Sequence, residues 1–396
     1  MAAERPTWIT LQQAMDLLGV SRSTIDRWRR NKQLPYIKIG KEVFFEPGRI
    51  MEWTRQFASA GPEKPSASPE PVTVGIGYQS KTALMWSPIL IRALNLFDNE
   101  LAKLRYRHPV RVEWYDADNG LELVEGMIAG RVNIASLGDY PIVVSQTIGS
   151  LLPSFRAVLL AFDGKSPGGR GISIALSPGV QIRRFADLSA VTVSTVVHSS
   201  AGYRLHKLIE ESGASDWKVV HQEMGESWNG IVGRKIGASV MWEPYISLAR
   251  YLGAGQLFYA EGIGEDYLTG VVAEGHWAER NSDIVCAYVK AHLKAHRWLR
   301  ERPLESATIV ARTTGLPLDV VLDIIRNVRW DAVPYNRDMD TLRRIAVHPV
   351  PFSSVQSLYA KDEKHFDYLH DAVHALGLPP ISSDLLRGDW VEEATY

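Results

Sequence analysis

Between Leu188 and Gly253 the chain reads LSAVTVSTVVHSSAGYRLHKLIEESGASDWKVVHQEMGESWNGIVGRKIGASVMWEPYISLARYLG. Runs rich in β-branched residues, LSAVTVST, WKVVHQE and ASVMW, alternate with stretches of helical spacing, SSAGYRLHKLIEESG, SWNGIVGRK and EPYISLARYLG. Parallel strands need a helix-length crossover, so this alternation predicts an open α/β sheet. The pattern also runs earlier in the chain. VTVGIGY (72–78), RVEWYD (111–116) and VNIASLG (132–138) read as strands. LMWSPILIRALNLFDNEL (84–101, with Pro88 in its first turn), GLELVEGMIAG (120–130) and the start of DYPIVVSQT (139–147) read as helices. Two α/β lobes of similar size follow, with chain crossings near Arg156–Phe162 and Leu257–Val272. Beyond Asn281 the spacing turns helical, in DIVCAYVKAHLKAHRWLRER, LESATIVARTTG and LDVVLDIIRNVRW.

The chain has 396 residues, too many for one compact core, and 45% hydrophobic with 22% charged residues is ordinary for a globular protein. The net charge of −1 hides an asymmetry. Residues 1–60 carry ten Lys/Arg against six Asp/Glu, and the remainder is mildly acidic. A small basic head on an acidic body fits a polyanion contact confined to the head. One cysteine, Cys286, excludes an intrachain disulfide. The start MAAERPTWITLQQ shows no basic segment followed by an apolar one. No apolar run approaches the ~18 residues of a membrane span. The cytoplasm is the expected compartment, with no membrane partner.

The head spans residues 1–56. Thr10 with Gln13 makes a capping-box pattern before LQQAMDLLGV, in which Leu11, Ala14, Met15, Leu17 and Leu18 form an apolar stripe that Gly19 ends. Ser21 then caps SRSTIDRWRRNKQ, whose apolar positions are only Ile25 and Trp28. The rest of that helix holds Arg22, Ser23, Thr24, Asp26, Arg27, Arg29 and Arg30. Such a basic, hydroxyl-bearing face suits DNA: arginine bonds guanine in bidentate fashion, and hydroxyls and cations hold phosphates. Two short β-runs around Gly40-Lys41 predict a hairpin with Lys38 and Lys41 near its tip. Arg49, Ile50 and Trp53 suggest a last helix packing back. The stretch ITLQQAMDLLGVSRSTIDRWRRNKQLPYIKIGKEVFFEPGRIMEW resembles the excisionase-like branch of the MerR-type winged helix-turn-helix domains, which implies DNA as a partner. Residues 57–71, rich in Pro, Ser, Ala and Glu, read as a flexible linker. The head is then expected to be positioned by contacts within a homodimer rather than by rigid docking.

The body, residues 72–396, resembles the solute-binding proteins of nitrate, sulfonate, taurine and thiamine-precursor uptake systems. The resemblance is carried by GMIAGRVNIASLGDYP, by ISIALSPGVQIRRFADLSAVTVSTVVHSSAGYRLHKLIEESG and by GASVMWEPYISLARYLG. It implies a two-lobed periplasmic-binding-protein-like fold of type II, with lobe 1 at about 72–160 plus 265–396 and lobe 2 at about 163–262. It also implies a small-molecule ligand in the crevice at the carboxyl ends of the strands. Four loops are then expected to line the crevice: Gln79, Ser80 and Thr82; Gly138, Asp139 and Tyr140; His198, Ser199, Ser200 and Ala201, at a helix N-terminus suited to an anionic or carbonyl group; and Trp242, Glu243 and Tyr245. Asp139 and Glu243 together would suit an amine, amidine or pyrimidine N–H. Each has a structural alternative: Ser199, Ser200 and Asp139 also suit plain helix capping, and Glu243-Pro244 a helix start. The segment after about residue 335, with HPVPF and DLLRGDWVEEATY, does not fit the resemblance and reads as a dimerisation or lid element.

Other chemistries find no pattern. There is no phosphate-loop motif, VGIGYQS is too short a glycine pattern for a dinucleotide, and no HExxH or Cys/His cluster occurs. No cofactor is expected. His292 and His296, four apart with no acid near them in sequence, read as a solvated helix face. Cys286 sits in an apolar stripe and reads as a small buried hydrophobe, against the cysteine-based enzymes of the same fold. The expectation is a ligand-responsive transcriptional regulator that is not an enzyme. The alternative is a cytosolic enzyme of the desulfinase or thiamine-pyrimidine-synthase branch.

Overall fold

The computed structural model describes the chain except for residues 1–7, 19, 32–33, 40–41, 59–70, 105–108, 214–215, 348–365 and 383–386. The linker, Gly19, Lys41 and HPVPF therefore lie mostly or wholly outside the described residues.

The head is a three-stranded sheet with three helices: β1 (Ile9–Thr10), α1 (Leu11–Leu18), α2 (Arg22–Asn31), β2 (Ile37–Ile39), β3 (Glu42–Phe45) and α3 (Pro47–Ala58). The expected caps form. Thr10 and Gln13 exchange hydrogen bonds, the Gln13 side chain accepting from the Thr10 N–H at 2.9 Å. The Thr24 N–H donates to Ser21 Oγ at 3.2 Å. β3 lies between β1 and β2, antiparallel to both. Ala14, Leu18, Ile25, Trp28, Leu34, Phe45, Ile50 and Trp53 make one core.

In the first lobe β4 (Val72–Tyr78), α4 (Ser87–Ala93), α5 (Leu96–Leu101), β5 (Val110–Asp116), α6 (Gly120–Ile128), β6 (Ile134–Gly138) and α7 (Asp139–Leu151) follow in order, then β7 (Ala157–Ser166). The expected single helix over 84–101 divides at Leu94–Asn95, where Asn95 adopts a left-handed backbone with φ 52°. The second lobe holds β8 (Ile172–Leu176), β9 (Thr192–Thr195), α8 (Ser200–Ser212), β10 (Lys218–His221), α9 (Met224–Val232), β11 (Ala238–Trp242), α10 (Tyr245–Leu252) and β12 (Gln256–Phe258). The chain returns through β13 (Tyr267–Glu274) and ends in α11 (Gly275–Arg280), α12 (Ser282–Glu301), α13 (Pro303–Thr314), α14 (Leu318–Asn327), β14 (Arg329–Trp330), α15 (Asn336–Val347) and α16 (Asp367–Ala375).

The strands form a six-stranded sheet of order β14-β7-β13-β6-β4-β5 and a five-stranded sheet of order β10-β9-β11-β8-β12. β4 runs parallel to β5 and β6, and β9 parallel to β10 and β11. The two crossings are themselves long strands: β13 runs antiparallel to both β6 and β7. β7 and β8 are buried at every position. A strand covered on both faces loses its alternation of apolar and polar residues, so periodicity alone marks β7 only as a crossing.

One expectation is overturned in lobe 1. His292 and His296 do not face solvent; both are fully buried in α12, against β7. The acid missing from their sequence neighbourhood comes from β7, where Asp163 Oδ1 lies 3.0 Å from His296 Nε2. The tail after residue 386 does not form a free lid. Trp390 Nε1 donates to Asp338 of α15 at 2.7 Å, and the Ala332 N–H donates to the Tyr396 carbonyl.

The head is not held apart from the body. Leu18, Val20, Trp28 and Trp53 line an apolar cavity jointly with Leu121, Val124, Ile128, Ile148 and Leu152 of α6, α7 and the residue after it. These head side chains form one edge of a core too small to cover them all, which gives the contact with lobe 1 its hydrophobic drive.

Candidate functional site

The carboxyl ends of β4, β6, β9, β10 and β11 carry the loops that face the crevice, as open α/β sheets require. The lobes touch there at several points. The Ala83 N–H donates to the Glu243 carbonyl at 2.9 Å, Trp242 Nε1 to the Lys81 carbonyl at 3.2 Å, and Asn119 Nδ2 to Glu223 Oε1 at 3.1 Å. A Cβ placed on Gly138 would stand 2.7 Å from Ser200 Oγ, so the first turn of α8 in lobe 2 closely approaches the end of β6, and a larger residue there would require the Ser200 side chain to turn away. Tyr140 stacks on Tyr203 of α8 with ring centroids 5.7 Å apart, and burial pushes the Tyr140 hydroxyl up to about 12.

The two acids picked from sequence are engaged by the protein. Asp139 is fully buried and paired with Arg204 of α8 at 2.8 Å. Arg204 spends its other donors on the carbonyls of Ser200, Ile263, Glu265 and Asp266. The pair therefore ties α7 of lobe 1 to α8 of lobe 2 and to the returning chain. Glu243 accepts from the Ser247 N–H at 3.0 Å and from the Ser247 hydroxyl at 2.9 Å. Burial raises its pKa, the Ser247 bonds opposing.

The remaining expected residues divide. Ser199 caps α8, accepting from the Gly202 N–H at 3.1 Å and donating to the Val196 carbonyl at 2.6 Å. Gln79 is buried and its amide donates to the Ser136 carbonyl at 3.3 Å. Ser80 gives its N–H to Asp116 at 2.9 Å and its carbonyl to Trp86 Nε1. Ala201 and Ser200 are buried in the first turn of α8. His198 adopts a left-handed backbone at the loop before it, and burial lowers its pKa, with His221 adding to the effect. Tyr245 lies beside Trp228 with centroids 6.1 Å apart, and burial raises its pKa. Thr82 is different: its hydroxyl is buried without a partner.

Thr82 shares that condition with three lobe 2 atoms that sequence reasoning did not select, Thr195 Oγ1, Gln222 Oε1 and Glu223 Oε2. Thr195 ends β9, and Gln222 and Glu223 follow β10. The two loops are joined, since the Gln222 N–H donates to the Thr195 carbonyl and the Val197 N–H to His221 Nδ1. Burial is the largest influence on Glu223 and raises its pKa. Buried polar atoms without partners are costly, and a ligand's polar groups would relieve them. The signal available in sequence was their place at or just after the end of each strand.

On the head, Arg22, Ser23 and Lys38 are exposed and Ser21 half-buried. Thr24 is buried, its hydroxyl 3.1 Å from Ser21 Oγ. Arg29 donates to Asp26 at 2.8 Å and stacks over the Tyr36 ring at 3.9 Å. It braces α2 against the loop before β2. The side chains of Arg27 and Arg30, and all of Lys41, lie outside the described residues. In the body, Cys286 is half-buried and burial raises its thiol pKa, the opposite of an activated nucleophile.

Comparison with known proteins follows the same division. The family model described as a helix-turn-helix domain matches residues 8–57. A Bacillus subtilis protein described as binding aliphatic sulfonates is 23% identical over 243 residues, covering 61% of this chain and 70% of that one. The alkanesulfonate-binding protein of Xanthomonas axonopodis pv. citri, solved with MOPS, superposes with a TM-score of 0.57 at 18% identity, over 70% of this chain and 92% of that one. The periplasmic nitrate-binding protein of Synechocystis superposes with a TM-score of 0.59 at 14% identity, over 79% and 91%. This chain thus carries an N-terminal helix-turn-helix domain and, over the rest, the two-lobed fold of the sulfonate- and nitrate-binding proteins.

Proposed function

We propose that this protein is a ligand-responsive transcriptional regulator. The head binds DNA through α2 and the β2–β3 hairpin, and a small polar solute binds between the lobes. The observation that carries the reading is the union, in one chain, of a helix-turn-helix domain with a two-lobed solute-binding fold. The cleft supports a solute with two chemical ends. An oxyanion such as a sulfonate suits the N-terminus of α8 at Ser199–Ala201. A hydrogen-bond-donating end suits Gln222 Oε1 and Glu223 Oε2, which takes over the role that Asp139 and Glu243 have in the sequence reading.

The coupling route would be the contact of α3 with α6. A ligand acts only through unequal affinity for the open and closed lobes, so it must change what lobe 1 offers the head, or how two heads are spaced in a homodimer. The site of action would be the cytoplasm, where the DNA is.

Two measurements on the full chain test this. Calorimetric titration with alkanesulfonates, taurine and nitrate is expected to show saturable binding that Thr195→Val and Glu223→Gln weaken. Mobility shift on the DNA upstream of its own gene is expected to show binding that Arg22→Ala weakens at unchanged solute affinity, with a shallower salt dependence. No retardation of that DNA at low salt, with or without solutes, would sink the regulator reading.

A further inference from the structure

Asp163 on β7 and His292 and His296 on successive turns of α12 are all fully buried, and each can bring one donor atom within 4.8 Å of the others. Among the described residues this is the group of His, Cys, Asp and Glu so arranged. It lies inside lobe 1, on elements other than the loops that line the ligand cleft.

The hydrogen bonds restrict where the protons sit. A backbone carbonyl can only accept. His292 Nε2 lies 2.8 Å from the Phe162 carbonyl and His296 Nδ1 3.3 Å from the Tyr396 carbonyl. In neutral His292 the Nε2 toward Phe162 carries the hydrogen, which leaves a lone pair on Nδ1; in His296 the hydrogen sits either on Nδ1, toward Tyr396, or on Nε2, toward Asp163. His296 Nε2 stands 3.0 Å from Asp163 Oδ1, an oxygen that already accepts from the Ser87 hydroxyl. His292 Nδ1 and Asp163 Oδ2 have no protein partner at all, although both are buried. Lone pairs thus gather in a dry place with too few hydrogens to serve them. An imidazole that spends its N–H on a main-chain carbonyl and keeps the other nitrogen free, as His292 does, has the outer-shell arrangement of a metal-binding histidine.

We propose that Asp163, His292 and His296 bind one divalent transition cation of the zinc class. Two imidazole nitrogens and a carboxylate are the donor set that such an ion prefers over magnesium or calcium, and a fourth position remains for a small oxygen donor. The site is closed. The Tyr396 carbonyl over His296 also takes the Ala332 N–H and Arg300 at 2.8 Å, so the tail seals it. The ion would enter as the chain folds and would pin β7, α12 and the tail together.

The test is the metal content of the full chain, purified without a metal-affinity tag from cells grown with added zinc, by plasma mass spectrometry. One zinc per chain is expected, with none above background in the double variant His292→Gln, His296→Gln. A Cobalt(II)-grown wild-type sample should show visible absorption bands of a nitrogen- and oxygen-ligated ion. Wild-type protein without zinc or cobalt overturns the proposal without reference to any variant. So does a folded double variant that keeps the same zinc, since the ion would then sit elsewhere. If the double variant does not fold, Asp163→Asn takes its place, with at least roughly tenfold weaker retention expected.

Discussion

The two lobes bury their polar groups in different ways. The six-stranded lobe uses charge. Lys165 of β7 and Asp338 of α15 form an ion pair with no solvent exposure on either side, and Arg329 chelates the buried Asp331. Glu100 of α5 gathers Lys103, Lys290 and Lys294. The five-stranded lobe uses hydroxyls. Ser194 of β9 donates to Ser227 of α9 at 3.0 Å, Ser239 of β11 to the Ser194 carbonyl, and Ser177 to the Ile231 carbonyl at 3.1 Å. A buried charge pair tolerates little displacement, because separating it leaves two ions in a poor solvent. A hydroxyl rotates to find another acceptor at small cost. The first lobe therefore has the makings of a stiff frame and the second of the part that adjusts to a ligand. Between the lobes, Asp139–Arg204 carries the charged style with no solvent exposure on either side, and Lys207 of α8 pairs with Glu265 nearer the surface.

The largest effect is expected where the frame is broken. Lys165→Met leaves Asp338 buried with only the Tyr335 N–H and Trp390 Nε1 for company. Burial already raises the Asp338 pKa, with Lys165 opposing. A loss of about 3–5 kcal/mol in urea-induced unfolding is expected. A loss under about 1 kcal/mol would mean that the pair does not frame the lobe.

Next comes the pair between the lobes. Arg204→Met strands Asp139 in the same way, but here the hinge can relieve it. Opening the lobes lets water reach the carboxylate, so the stability loss should be smaller, about 1–2 kcal/mol. The missing energy should reappear as shape: scattering from the variant without solute should show a larger radius of gyration than wild type. An unchanged radius together with a full frame-sized loss would place Asp139–Arg204 in the frame and not at a hinge.

This contrast explains what could be read from residues alone. The strands with free faces, the caps at Thr10 and Ser21, and the strand–helix alternation are local patterns, and they were legible. The partners of Asp139, Glu243 and His296 were not. Arg204 lies 65 positions from Asp139, and Asp163 lies 133 from His296. Neither distance leaves a mark on spacing. Glu243 and Arg29 fail for the opposite reason: Ser247 and Asp26 were in plain view, but a polar side chain beside a neighbour of matching chemistry looks the same whether it turns inward or outward. The unpartnered atoms Thr195 Oγ1, Gln222 Oε1 and Glu223 Oε2 were hidden because burial and lack of a partner are properties of the folded chain.

A smaller effect is expected on the acid side. Burial pushes the Glu100 carboxyl up, but Lys103, Lys294 and Lys290 outweigh it and hold it at about 2, below its ordinary 4.5. A lowered folded pKa gives stability that is present above the ordinary value and is lost as pH falls toward the folded one. The lysine ends reach solvent, so the net contribution is roughly 1 kcal/mol. Wild type should lose stability more steeply than Glu100→Gln between pH 4.5 and pH 2. Parallel curves would remove Glu100 from the charged frame.

The smallest effect tests the other side of the comparison. Ser194→Ala removes the hydroxyl that Ser227 faces but keeps the carbonyl that Ser239 uses. Ser227 Oγ can then turn to a carbonyl within its own helix, as serines in helices commonly do. The expected loss is under about 1 kcal/mol, well below that of Lys165→Met, because the orphaned group is neutral and can rotate. Hydrogen exchange should sharpen the point: β9 amides should exchange faster than those of β7 in wild type already, and Ser194→Ala should widen the gap without touching β7. Equal protection of the two strands would mean that hydroxyl networks hold this fold as tightly as ion pairs do, and the cleft would then have to close by moving two stiff bodies about the Ile263–Tyr267 return rather than by any give in the second lobe.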